Sequence, residues 1–188
     1  MKKLDELRSI IRIVMCEMNI DKVTKLKTTA GSTHDMHLAS LIDDERKFFI
    51  KFSYLDDNIW NEGDPDPSIQ CISEFIAYKI YQLYPNVKIP ARIELIFDPK
   101  NGRVGLATSA VKGKMALGRV KPRVLAKKLQ AGVYVDIFLA NYDVIGTGSG
   151  NLMTSDGDKS ITRIDPGASF KYRARGGRDK QFDVSASE

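Results

Sequence analysis

Residues Lys47 to Tyr54 read Lys-Phe-Phe-Ile-Lys-Phe-Ser-Tyr. Side chains this rich in aromatic and β-branched types mark a strand that other elements have to cover. Lys51 lies in the middle of its apolar run. Two readings of that lysine are open: an edge lysine that discourages strand-to-strand aggregation, or a cation kept for an anionic ligand.

Companion strands are expected on both sides in sequence. Lys22 to Lys27 reads Lys-Val-Thr-Lys-Leu-Lys, Met36 to Ile42 is apolar and β-compatible, and Thr28-Thr29-Ala30-Gly31-Ser32-Thr33 between them reads as the small-residue tip of a hairpin. Asp43 to Arg46 is a polar turn. Val87 to Phe97 and Val104 to Ala110 read as two more strands, joined by a turn at Asp98 to Gly102. That makes five strands.

Three helices are expected. Leu4, Leu7, Ile10, Ile11, Val14, Met15 and Met18 put one apolar stripe on an opening helix. Ile69 to Tyr84, with Ile72, Phe75, Ile76, Ile80 and Leu83, is a second that stops at Pro85-Asn86, and Glu74 lies in its first half. Pro122 starts a third through Leu125, Leu129, Val133, Ile137 and Leu139. Leu55 to Ser68 is an acidic, proline-bearing loop. Asn141 to Gly150 is a glycine-rich loop, and the short apolar segments Asn151 to Met153 and Ile161 to Ile164 flank a Ser-Asp-Gly-Asp turn. From Phe170 to Glu188 the chain is polar and basic.

A chain of 188 residues with 43% hydrophobic and 28% charged residues suits one domain, or one compact domain with two lobes, and excludes disorder over its whole length. The net charge of +5 favours an anionic partner and leaves nucleotide phosphates, nucleic acid and acidic protein surfaces open. Cys16 and Cys71, far apart, support neither a disulfide framework nor structural zinc. Without a secretory signal or a long apolar run, the chain reads as soluble and cytoplasmic, with no membrane span.

Phosphoryl transfer from ATP needs a cation on the phosphates, a carboxylate to hold that cation, hard oxygen ligands for magnesium, and an acceptor for the nucleophile's proton. Lys51, Glu74, Asp143, Asn151 and Asp165 supply these types in a suitable order. Asp136-Ile137-Phe138-Leu139-Ala140-Asn141-Tyr142-Asp143 is followed by Asn151 and then by Ile164-Asp165-Pro166-Gly167. In this pattern the chain resembles the protein-kinase-like superfamily, within it the HipA-type and phosphoinositide-kinase-like branch, in a compact or truncated form.

The resemblance implies an α+β, two-lobed fold: an antiparallel five-stranded N-lobe sheet with one main helix plus the N-terminal helix over residues 1–111, and a reduced helical C-lobe with a basic tail over 112–188. It also implies a kinase that uses ATP and Mg2+, with a protein Ser or Thr hydroxyl as acceptor and lipid or small-molecule acceptors as alternatives. Asp143 would be the catalytic-loop aspartate, Asn151 and Asp165 the magnesium ligands, and Lys51, held by Glu74, the partner of the phosphates. Gly31, Ser32 and Thr33 would form the nucleotide-binding turn.

Other readings stand beside these. Glu74 alone is an ordinary surface residue of a helix, and Asp143 and Asn151 can be Asx-turn residues. Asp136 braces the catalytic loop or stabilises a turn. His34 and His37 lack a third ligand, and Gly146 to Gly150 lacks the ending of a P-loop. The run Lys112 to Lys128 carries seven basic residues and no acidic one, so it is either a solvated face or a site for an acidic or polyanionic partner. The rival function is a non-catalytic pseudokinase or polyanion-binding module.

Overall fold

The computed structural model describes residues 18–19, 23–28, 35–41, 44–52, 68–98, 103–116, 119–145, 150–155 and 160–170. The opening helix up to residue 17, the hairpin tip with Gly31, Ser32, Thr33 and His34, the acidic loop 53–67 and the tail 171–188 lie outside the described residues.

The aromatic strand is β4 (Asp44–Phe52), and it is interior. It joins β1 (Met18–Asn19), β2 (Val23–Thr28), β3 (Asp35–Leu41), β5 (Ile93–Asp98) and β6 (Arg103–Ser109) in one sheet of order β1-β5-β6-β4-β3-β2. Lys51 pairs with Met36 on one side and Leu106 on the other, which removes the edge-lysine reading. The sheet has six strands where five were expected. Met18, assigned from its spacing to the end of a helix, instead pairs in parallel with Ile96, and Asn19 with Phe97. There the two residues occupy backbone groups that β5 would otherwise present as an open edge.

Other boundaries move for local reasons. Asp44 to Arg46 belong to β4 because the connection from β3 is short, and the register shifts at Ser40/Leu41. The fifth strand starts at Ile93, not Val87, since Pro90 has no N–H for a ladder. Lys88 makes only an isolated parallel bridge to Thr162.

Helix α1 (Ser68–Gln82) packs Cys71 and Tyr78 on Ile93, Leu95, Val104 and Leu106. The other sheet face buries Phe48, Ile50, Phe52, Ile96 and Ala107. Downstream, β7 (Lys114–Met115), β8 (Leu152–Ser155) and β9 (Ser160–Arg163) form a three-stranded antiparallel sheet. The helix expected from Pro122 is divided into α2 (Pro122–Leu129), a 3-10 turn (Gln130–Gly132) and α3 (Val133–Phe138). Arg163 accounts for the break. Its Nη2 donates to the Leu129 carbonyl at 2.9 Å, and a Cβ on Gly132 would stand 2.5 Å from that same nitrogen. Among the described residues no helix is long and apolar enough to cross a membrane.

A buried polar cluster fastens α3 and β9 to α1. Arg163 grips Asp136 from Nε at 3.1 Å and from Nη2 at 2.9 Å. The Tyr81 hydroxyl donates to Asp136 Oδ1 at 2.6 Å and accepts from Asn141 Nδ2 at 3.1 Å. Deleting one partner of such a pair strands the other's charge in the interior, at about 3–5 kcal/mol. We expect Arg163→Met to lose about that much stability in urea unfolding, and the double variant Arg163→Met/Asp136→Leu to regain a large part. If the double variant is no more stable than the single, the pair does not carry this junction.

Candidate functional site

The inward stripe of α1 includes Cys71, Glu74, Ala77, Tyr78 and Tyr81, spaced three and four residues apart as one helical face requires. Three of them carry polar tips, and each tip reaches a different part of the chain. Glu74 Oε2 accepts from Lys51 Nζ on β4 at 2.8 Å. The Tyr78 hydroxyl accepts from the backbone N–H of Asp165 at 2.8 Å. Tyr81 reaches Asp136.

Lys51 Nζ also donates to Asp165 Oδ1 at 2.7 Å, so one buried ammonium lies between two carboxylates. Burial opposes its charge, but the Asp165 and Glu74 carboxylates outweigh burial and raise the Lys51 pKa above its ordinary value. Burial pushes Glu74 up to about 7, against the pull of the Lys51 ammonium and with a further push from the Asp165 charge. Burial, reinforced by the Glu74 and Asp165 charges, also raises the Tyr78 pKa, so its hydroxyl stays neutral.

Asp165 is in the left-handed region at φ 52°, ψ 61°, and its side chain is 46% exposed. Gly167, two residues on, closes the group from behind. A Cβ there would stand 3.0 Å from Glu74 Oε2 and 3.1 Å from both Asp165 Oδ1 and Lys51 Nζ.

These groups border a cleft of about 330 Å³ between the two sheets. Lys51, Asn151 and Asp165 line its polar part, while Met36, Phe49, Leu106, Met153 and Ile164 supply apolar walls. Asn151 is locked in place by its neighbours. Its Nδ2 donates to the Asp143 carbonyl at 2.6 Å, and its own carbonyl accepts from Ile164 N–H at 2.9 Å. Only the amide nitrogen can face a carbonyl, so the Oδ1 is the atom left to accept or ligate. Among the described residues no three His, Cys, Asp or Glu side chains cluster into a complete metal site. The Asn151 oxygen and the exposed Asp165 carboxylate are hard donors suited to a cation that takes its remaining ligands from water or phosphate.

Of the residues singled out in the sequence, Lys51, Glu74 and Asp165 come together, and Asn151 shares their cleft. Asp143 is tied to Asn151 through its backbone, but its half-buried side chain is not among those lining the cleft. Gly31, Ser32 and Thr33 lie outside the described residues. Sequence reasoning missed Tyr78, Tyr81 and Arg163. The signal for the two tyrosines was their spacing of four and seven residues from Glu74; nothing local marks Arg163.

The elevated Glu74 pKa has a stability consequence with a definite sign. The folded chain holds that proton more tightly than the unfolded chain, whose carboxyl titrates near 4.5. The contribution is therefore complete below about 4.5 and fades as pH rises through about 7. Unfolding measured across this window should show a downward slope that Glu74→Gln flattens. An unchanged slope in the variant would mean that Glu74 does not titrate there.

No family model matches the sequence, and no curated protein matches it. Solved structures are similar to it in fold. The proinflammatory kinase CtkA of Helicobacter pylori aligns with a TM-score of 0.57 at 14% identity, over 81% of this chain and 61% of that one. A MAP kinase from Leishmania major aligns at a TM-score of 0.43 and 16% identity, over 91% of this chain and 52% of that one. The chain thus spans about three fifths of the length of the Helicobacter kinase. With its mostly antiparallel sheets, few helices and a cleft between the sheets, the chain has a protein-kinase-like fold.

Proposed function

We propose that this chain is an ATP- and magnesium-dependent kinase that transfers the γ-phosphoryl group to a protein Ser or Thr hydroxyl. The observation that carries the reading is the buried Lys51 between Glu74 and Asp165 at the polar part of an otherwise apolar cleft. Apolar walls suit a flat base, and a charged lysine beside an exposed carboxylate suits phosphates. Within kinase-like folds we assign the chain to the HipA-type and phosphoinositide-kinase-like branch, on the Asp136 to Asp143, Asn151 and Asp165 pattern. We place the lobe boundary between residues 111 and 112, since the six-stranded sheet and α1 precede it and the three-stranded sheet, α2 and α3 follow it.

In this reading Glu74 aims the Lys51 ammonium at the phosphates, and Tyr78 fixes the backbone of Asp165. Asn151 Oδ1 and the Asp165 carboxylate would hold magnesium, which supplies neutralisation of phosphate charge. Asp143 aligns the acceptor hydroxyl and takes its proton as the oxygen bonds to the γ-phosphorus and the bridging oxygen leaves with ADP. A second reading, a pseudokinase that binds nucleotide without transfer, is favoured by one observation: the Asp143 side chain does not line the cleft.

Incubation with ATP and magnesium, followed by intact-mass spectrometry of the protein and a generic substrate, should detect added phosphate. Asp165→Ala should abolish it without unfolding the chain, because the altered side chain is half exposed and the N–H bond to Tyr78 persists. Transfer that survives in Asp165→Ala removes the metal assignment; nucleotide binding without transfer in the parent chain selects the pseudokinase.

A methyl group at Gly167 must displace the tip of Lys51, Glu74 or Asp165. We expect Gly167→Ala to weaken nucleotide binding about tenfold, or about 1.4 kcal/mol, as read by titration calorimetry. Parent-like affinity would show that the phosphates do not depend on this triad.

A further inference from the structure

One helical face runs through α2, the 3-10 turn and α3. Leu125 and Leu129 pack on the small core beneath the three-stranded sheet, and Gly132, Val135, Asp136 and Leu139 are buried after them. Their spacing of three and four residues leaves Arg123 and Lys127 on the outer side of α2 and Tyr134, Ile137 and Phe138 on the outer side of α3, all exposed. That outer face is divided along its length.

Its leading end is cationic. Arg119 and Lys121 just before α2 and Arg123 and Lys127 on it are exposed, and none has an ion pair among the described residues. Its trailing end is apolar and aromatic: Tyr134 is 81% exposed, Ile137 69%, Phe138 73% and, just beyond the helix, Tyr142 74%. No acidic residue occurs from Lys112 to Val135. The next one, Asp136, is turned inward onto Arg163. A cluster of large apolar side chains this exposed is an interaction surface more often than a solvated one.

We infer that this outer face is a docking surface for an acidic protein segment, with a run of Asp or Glu lying along α2 and neighbouring apolar side chains packing on Tyr134, Ile137 and Phe138. Charge complementarity selects the acidic partner. The division along the axis selects a protein. An anionic bilayer presents the same headgroups and acyl chains at every point along a rod lying on it, and a nucleic acid strand repeats its phosphate at every nucleotide, across an end of this face that has no cation. A polypeptide can change from acidic to apolar within a few residues.

The test uses the full chain without nucleotide, so its outcome is independent of the kinase reading. The probes are two fluorescein-labelled peptides, each with a glutamate-rich half and a Leu/Phe-containing half, in opposite orders. Anisotropy titration should show one of them binding, more weakly as salt rises. Arg123→Glu/Lys127→Glu and Ile137→Ser/Phe138→Ser should each cut the affinity about tenfold or more. These residues are exposed, so thermal unfolding of both variants should match the parent. Failure of both peptides to bind overturns the inference, as does binding that neither variant changes. Stronger binding to phosphatidylserine vesicles or to oligo-dT than to either peptide also overturns it, by assigning the face to a lipid surface or a nucleic acid.

Discussion

A lysine ammonium in the interior strand of an aromatic sheet is the element around which this molecule is arranged. Taking that charge out of water costs several kcal/mol, and the two carboxylates bonded to Lys51 offset that cost. Both carboxylates come from elsewhere: Glu74 from α1 and Asp165 from the segment after β9. The ion pairs therefore fix how α1 lies on the sheet and where the segment after β9 meets it. Apolar packing of Cys71 and Tyr78 supplies most of the attraction between α1 and the sheet, but it is less directional than a hydrogen-bonded charge, which sets the rotation of the helix about its axis.

That rotation is used three times. The helical face that brings Glu74 to Lys51 brings Tyr78 to the Asp165 backbone one turn later, and Tyr81 to Asp136 after it. A shift of α1 strong enough to release Glu74 would disturb the other two bonds. Asp136 in turn holds Arg163, whose neighbours lead directly into Asp165. The path from helix to site is a chain of buried bonds in which each tyrosine combines apolar bulk with one polar tip, so the same residues serve as core and as scaffold.

How much of this can be read from the sequence depends on the range of the force involved. Periodicity is local, and it locates α1, the strands around β4 and the apolar segments that become β8 and β9 to within a few residues. Pro90 shortened one strand and Arg163 broke one helix; the first effect is visible in sequence because proline acts on its own backbone, the second is not, because Arg163 acts across 34 residues on the Leu129 carbonyl. Lys51 and Glu74 stand out as residue types in unexpected surroundings. Their union with Asp165 spans 114 residues, and only the resemblance in pattern, not any local rule, connects them beforehand. Tyr78 and Tyr81 pass as ordinary helix core until their hydroxyl partners are known.

The locally unfavourable features also converge. Three described non-glycine residues have positive φ: Ala140 at 50°, Asp165 at 52° and Phe170 at 55°. Each such conformation costs on the order of 1–3 kcal/mol and persists only where its surroundings enforce it. Here they are linked. The N–H of Phe170 donates to the Leu139 carbonyl at 2.6 Å, next to Ala140, and the N–H of Asp165 is held by Tyr78. A buried lysine and a left-handed aspartate thus share one wall of the cleft, and behind them stands a glycine whose added methyl group would press on both. Apolar residues in place of Lys51 and Glu74 together, and a relaxed backbone at 165, would make a more stable protein. A chain that retains all three in one place, while its remaining strands and helices follow ordinary propensity, has its stability spent where a ligand would be bound.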